Sequence, residues 1–351
     1  MKRFCLLITT ALCLPSLVVA QGQPFKLGTF EENGREFVGL VVDDSTVVDI
    51  SQAAGAMRGN YPEMPADMYE MIARYDDLRP LLGEMADAAA SGSDAAYIKA
   101  IDDVDIRPPI IPNIIYNAAS NYSLHALEMA RRNAPPGEEP PLPPVPDPIP
   151  GIWERNPDDT RQNPYIFLKM ASTVVADGEE IRIPPKRTSL DWECELAAVI
   201  GMPASRVSPE DAEDFIFGYT LENDVSDRGG RGDGRMGTDW FLQKNHDTFA
   251  PLGPFIVPKE FVPNPHVLEQ TLTLSGNVMQ DSNTSNMTHD TFDLLSYISY
   301  ISTMQPGDVF AMGSPSGVGT ARDVPVYMQD GDVAVCSIES IGTLTNPVVG
   351  E

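Results

Sequence analysis

Asp191-Trp192-Glu193-Cys194-Glu195-Leu196-Ala197-Ala198-Val199-Ile200-Gly201 is the stretch that decides the fold. Residues 196–200 form an unbroken apolar run ending at a glycine, which is how a strand buried on both faces reads. Just before it, Asp191, Glu193 and Glu195 are spaced two apart. Side chains alternate across a strand, so the three carboxylates share one face while Trp192, Cys194 and Leu196 share the other. Like charges beside a core repel one another and lose solvation. Either this strand end is exposed and its acids solvated, or a cation relieves both penalties. Oxygen-only ligands favour a hard ion, Mg²⁺, Mn²⁺ or Ca²⁺, over zinc. A second apolar segment, Phe215-Ile216-Phe217-Gly218-Tyr219-Thr220-Leu221, runs directly into Asn223-Asp224. That places a further carboxylate at the end of a neighbouring strand, where another ligand would be needed.

Composition narrows the setting. With 351 residues there is room for two modest domains, and 42% hydrophobic content supports a real core. The formal charge of −27, from 51 acidic against 24 basic residues, argues against nucleic acid or an anionic membrane as a partner. Residues 1–20 read as a signal peptide. Lys2-Arg3 is a positive start, residues 4–17 are apolar, and Val18-Val19-Ala20 is a small-residue cleavage site. The expectation is an exported protein, periplasmic or secreted, cut after Ala20, with no membrane attachment afterwards. Cys194 and Cys336 then remain. Export permits a disulfide, but each lies in a strand-like apolar run, and two buried free thiols are the expectation.

Residues 24–105 read as a small N-terminal β/α domain. Asn33-Gly34 between two apolar runs signals a hairpin, residues 46–50 a third strand, and residues 66–75, 78–90 and 94–100 helices. The prolines at 108, 109 and 112 mark the boundary of the second domain, 106–351. Residues 134–164 are a proline-rich insertion, loop or polyproline by composition. Beyond it, residues 272–279 read as a strand, 280–283 as a polar loop and 292–301 as an amphipathic helix.

In Asn121-Tyr122-Ser123-Leu124-His125-Ala126-Leu127-Glu128, His125 and Glu128 are three apart and share a helical face. A carboxylate orients an imidazole and raises its basicity, which suits a general base; an ordinary surface pair has the same spacing. Glu193-Cys194-Glu195-Leu196 followed by Gly218 to Ser226, with this segment ahead of them, resembles the fumarylacetoacetate hydrolase family. The resemblance runs from about residue 110 to the C-terminus. It implies an α+β chain whose catalytic domain is a mixed β-roll. It implies metal ligands Glu193, Glu195 and Asp224 and a catalytic dyad of His125 and Glu128.

Further segments extend the resemblance. Trp240 to Phe249 is similar to the family's lysine segment and implies that Lys244 stabilises negative charge on the substrate. Arg228 falls at the family's arginine and implies a bidentate grip on a substrate carboxylate. Gly313-Ser314-Pro315-Ser316-Gly317-Val318-Gly319 resembles the substrate loop, which gives Gly313 and Ser314 binding roles. Tyr122 either lines the pocket or belongs to the core. Lys169 is either close to the metal cluster or exposed and structural. His246 has no matched role. The implied reaction is divalent-metal-dependent hydrolysis of a carbon–carbon bond in an acylpyruvate-type 2,4-dioxo acid. Alternatives are a 2-oxo acid decarboxylase, tautomerase or hydratase, or a non-catalytic exported dicarboxylate-binding protein. Family members are commonly dimers, which implies a homodimer.

Overall fold

The computed structural model describes residues 22–57, 61–93, 95–135, 137–141, 163–229 and 237–350. The expected signal peptide, most of the proline-rich insertion and residues 230–236 lie outside the described residues.

The α+β expectation holds. A 12-stranded sheet follows the spatial order Ile98–Ala100, Thr46–Asp49, Arg35–Val42, Lys26–Glu32, Ala250–Pro258, Ile216–Asn223, Cys194–Ile200, Val309–Ala311, Ile114–Ala119 and Tyr165–Met170, with two short strands off this path. A five-stranded sheet follows the order Asn277–Asn283, Glu269–Leu274, Val333–Ile338, Gly342–Gly350 and Ile181–Ile183. Cys194–Ile200 is a central strand of the larger sheet and every residue in it is buried. Its even side, Cys194, Leu196, Ala198 and Ile200, packs with Leu272, Ala334 and Ile338 of the smaller sheet. Its odd side, Ala197 and Val199, packs with Leu27, Leu40 and Met71 of the N-terminal segment. Glu193 and Glu195 continue the odd side, so a carboxylate pair extends a face that is otherwise apolar core.

The hairpin at Asn33-Gly34 is present, with both residues at positive φ, as a tight primed turn requires. Other local expectations need correction. Residues 68–90 form one continuous helix, Met68–Ala90, capped by Asp67 and carrying Pro80 inside it. Its buried stripe from Met68 to Ala89 packs along the sheet and carries the helix through the turn expected between residues 75 and 78. Residues 98–100 form a strand rather than the end of a helix, because they pair with Thr46–Asp49. The polar loop expected at 280–283 is strand. Ser275 and Gly276 take left-handed conformations and turn the chain early, so Gln280 lies in a ladder opposite Leu272.

The two cysteines are also corrected. Cys194 and Cys336 form a disulfide across 142 residues. Each faces the interface between the sheets, so the same burial that suggested free thiols brings them together. Replacing Cys336 by alanine is expected to cost about 2–5 kcal/mol, read as the shift in urea unfolding free energy; an unchanged midpoint would show that the bridge adds nothing to stability.

Candidate active site

Four strand ends converge at one edge of the 12-stranded sheet. Cys194–Ile200 starts there. Its antiparallel neighbours Ile216–Asn223 and Val309–Ala311 end there, and so does Ile114–Ala119, which runs parallel to Val309–Ala311. Glu193, Glu195 and Asp224 leave these ends, and one carboxylate oxygen from each lies within 4.8 Å of the others. All three are buried. A backbone bond from Asp224 N–H to the Glu193 carbonyl at 2.8 Å locks the two segments together.

The helix Ser123–Asn133 stands over this cluster. Its start is fixed by Asn121, whose side chain donates to the carbonyls of Met312 and His289 and accepts from the His289 N–H. His125 is 4% exposed. Its Nδ1 lies 2.7 Å from Glu128 Oε1 and its Nε2 lies 3.7 Å from Glu193 Oε1. In the neutral imidazole, a proton on Nδ1 is the one Glu128 can accept, and Nε2 then presents a lone pair toward the cluster. Glu128 in turn accepts from the Gly317 N–H at 2.9 Å. Gly317 has φ +105, and a Cβ there would meet the Met279 carbonyl at 2.2 Å. Gly313 has φ +85 and donates its N–H to Glu195 Oε2 at 2.8 Å, and a Cβ would press on the Ala118 carbonyl. Both loop amides reach their carboxylates only because these positions carry no side chain.

The cations are deeply placed. Lys244 ends the short helix Trp240–Lys244 and bridges two members of the triad, at 2.5 Å from Glu193 Oε2 and in contact with Asp224 Oδ2. Arg228 donates to Asp191 at 2.9 Å and to Glu193 at 2.6 Å. Lys169 is 2% exposed and donates to Asp224 Oδ1 at 2.5 Å, which decides the open reading in favour of contact with the cluster. Asp191 departs from expectation. It belongs to a separate ladder with Ser226–Asp227 and accepts from the amides of Gly319 and Thr320, so it holds Arg228 and the loop instead of joining the triad.

Glu222 was not singled out from the sequence. It pairs across the ladder from Glu195, and its Oε2 accepts from Asn117. Its spacing of two from Asp224 was the available signal. Five buried carboxylates, Asp191, Glu193, Glu195, Glu222 and Asp224, therefore meet three cations, Lys169, Arg228 and Lys244. Burial penalises Glu193, but Arg228, Lys244 and His125 outweigh it and hold the group well below the usual carboxylate range. Burial, then Asp224, Glu222 and Glu193, push Glu195 well above that range. Burial pushes Glu222 up to about 7, against the opposing effect of Lys169. A hard divalent cation fits this donor set, because the three converging ligand groups are all carboxylates.

The remaining predicted residues divide clearly. Ser314 lines the cavity and accepts from Gln280. Tyr122 does not line it, since its hydroxyl donates to Gln270 Oε1 at 2.9 Å inside the core. His246 packs against Phe249 away from the cavity. The cavity has a volume of about 40 Å³. Its lining combines the charged cluster with an apolar wall of Met129, Phe167 and Trp240.

A mixed-sheet fold with a buried acidic triad and a His–Glu pair facing it defines the class to which the sequence pointed. Residues 114–349 match the family model for the fumarylacetoacetate (FAA) hydrolase C-terminal domain, and the chain belongs to that family. It is 35% identical over 294 residues to the mitochondrial oxaloacetate tautomerase fahd2 of Xenopus laevis, covering 82% of this chain and 80% of that protein. It is 31% identical to oxaloacetate tautomerase YisK of Bacillus subtilis, over 92% of this chain and 99% of YisK. Among solved structures, it resembles the maleylpyruvate hydrolase of Sphingobium sp. SYK-6 in complex with manganese(II) ion and pyruvate. That match has a TM-score of 0.65 and 26% identity, and covers 93% of this chain and 99% of the other. These relatives are enzymes, and their reactions include tautomerisation and hydrolysis.

Proposed function

We propose that this chain catalyses metal-dependent interconversion of the enol and keto forms of a small 2-oxo acid, with oxaloacetate-type dicarboxylates the first candidates. The observation that carries this reading is the imidazole of His125, fixed at Nδ1 by Glu128 and open at Nε2 toward the carboxylate triad. One poised base is enough for enolisation. The two oxaloacetate tautomerases that align along most of this chain support the choice of reaction. Glu193, Glu195 and Asp224 would hold the cation, Mg²⁺ or Mn²⁺ by ligand chemistry, which when bound polarises the 2-oxo group. In the enol-to-keto direction the enol hydroxyl gives up a proton and C3 gains one. His125 Nε2 accepts or returns that proton. Lys244 and Arg228 offset negative charge that develops on the substrate oxygens.

Carbon–carbon hydrolysis of an acylpyruvate is the second reading, and the apolar wall favours it. Phe167 and Trp240 pack with ring centroids 5.0 Å apart and both line the cavity, with the Lys244 ammonium 4.8 Å from the Phe167 ring centroid. Such a surface suits an acyl substituent better than a second carboxylate. Replacing Trp240 by alanine is expected to lower kcat/KM for apolar acylpyruvates by roughly 10- to 200-fold relative to oxaloacetate; equal losses on both would remove the wall from substrate selection. The deciding experiment follows enol absorbance of oxaloacetate and several acylpyruvates with Mg²⁺ or with EDTA, while pyruvate and carbon dioxide are assayed. Metal-dependent enol loss with neither product supports the tautomerase. Pyruvate from an acylpyruvate moves the reading to hydrolysis, and carbon dioxide to decarboxylation. Metal-dependent binding without turnover points to the binding protein. Export belongs to the same proposal: the Cys194–Cys336 disulfide suits an oxidising compartment. N-terminal sequencing of the secreted chain should begin at Gln21, and a chain retained in the cytoplasm would refute export.

A further inference from the structure

Cys194 separates two of the three triad carboxylates, and the smaller sheet grips it at three points. Its N–H donates to Gln280 Oε1 at 3.1 Å, its carbonyl accepts from Gln270 Nε2, and its sulfur is joined to Cys336. Both glutamines are buried, at 0% exposure for Gln270 and 1% for Gln280, and neither lines the cavity. Each has a second partner on a different part of the site. Gln280 Nε2 donates to Ser314 Oγ at 2.7 Å and to the Pro315 carbonyl at 2.8 Å. Gln270 Oε1 accepts from the Tyr122 hydroxyl at 2.9 Å, one residue before the helix that carries His125 and Glu128.

The backbone partners fix which end of each amide points where. Gln280 must offer oxygen to the Cys194 N–H and nitrogen to the Pro315 carbonyl. Gln270 must offer nitrogen to the Cys194 carbonyl, which leaves its oxygen for the Tyr122 hydroxyl. A carboxylate could satisfy only one side of either arrangement. We infer that Gln270 and Gln280 are positioning residues, which hold Glu193 and Glu195 through the Cys194 backbone in register with the catalytic helix and the 313–319 loop. Metal ligands depend on such outer partners for their orientation. The smaller sheet then has a task beyond closing the core: its two buried amides connect the ligand strand, the substrate loop and the base. This inference rests on the triad being the metal site.

The test is Mn²⁺ titration of the full chain, followed by electron paramagnetic resonance, on the wild type, Gln270→Met and Gln280→Met. Methionine keeps the length of the side chain and removes its hydrogen bonds. Leu344→Ala, in the core of the same sheet, is the control for general loss of stability. Each glutamine variant is expected to weaken Mn²⁺ binding by roughly 10- to 100-fold, while Leu344→Ala lowers the melting temperature and leaves Mn²⁺ affinity in place. Wild-type affinity in both glutamine variants, or an equal loss in Leu344→Ala, overturns the inference. A wild type that binds no Mn²⁺ overturns the triad reading and the inference with it. If the methionine variants do not fold, Tyr122→Phe removes only the hydroxyl from Gln270. Lower kcat at unchanged KM for the oxaloacetate enol supports positioning; a raised KM at unchanged kcat makes the hydroxyl a substrate contact and overturns it.

Discussion

His125→Ala is expected to lower turnover by roughly a hundred- to ten-thousand-fold while leaving Mn²⁺ affinity within a factor of a few. The two effects separate because His125 faces the triad without belonging to it. Its Nε2 is 3.7 Å from Glu193 Oε1, whereas the oxygens that would hold the cation come from Glu193, Glu195 and Asp224. Removing the ring also frees Glu128, but that carboxylate keeps the Gly317 amide as a partner, so the loop and the helix stay joined. Steady-state kinetics and Mn²⁺ titration on one preparation decide the matter. A variant that retains turnover would take the proton-transfer role away from His125.

Glu195→Gln should have the opposite profile for stability. Glu195 is 1% exposed, and Asp224, Glu222 and Glu193 crowd its charge. Without a cation, that charge is a liability of the fold. Glutamine has nearly the same shape and removes it. The metal-free variant is therefore expected to melt at or above the metal-free wild type. Addition of Mn²⁺ reverses the order. At a hundred times its dissociation constant a ligand stabilises the wild type by about 2.7 kcal/mol, and the variant gains almost none of this. Turnover falls with the affinity. Thermal melts with EDTA and with Mn²⁺ give both halves of the comparison. A variant destabilised under both conditions would make Glu195 a structural group.

Much of this arrangement was legible because it follows from spacing along single segments. The apolar run at 196–200 required burial on both faces, and it has it. The spacing of two between Glu193 and Glu195 put them on one side, and the spacing of three between His125 and Glu128 let them touch. What stayed hidden depends on how distant segments meet. Nothing near Cys194 reveals that Cys336 arrives opposite it, because that contact exists only once the two sheets are packed. Asp191 shares the spacing of the other acids, but the ladder ends at it and a new strand begins at Cys194, so it serves different partners. Lys169 sits in a segment with exposed Leu168 and Met170, and only its inward register on that strand carries it to Asp224. The Tyr122 hydroxyl is a similar case: the motif places the residue, and the smaller sheet claims the oxygen.

The central claim is that a cation on Glu193, Glu195 and Asp224 and a base at His125 act together on the C3 position of a 2-oxo acid. Proton NMR of pyruvate or a related 2-oxo acid in D₂O measures exchange at that carbon without requiring the natural substrate. With Mg²⁺ the wild type should accelerate C3 exchange above the buffer rate. EDTA should abolish the acceleration, and His125→Ala should lack it. Exchange at the buffer rate in all samples, or acceleration that persists in EDTA, would contradict the account.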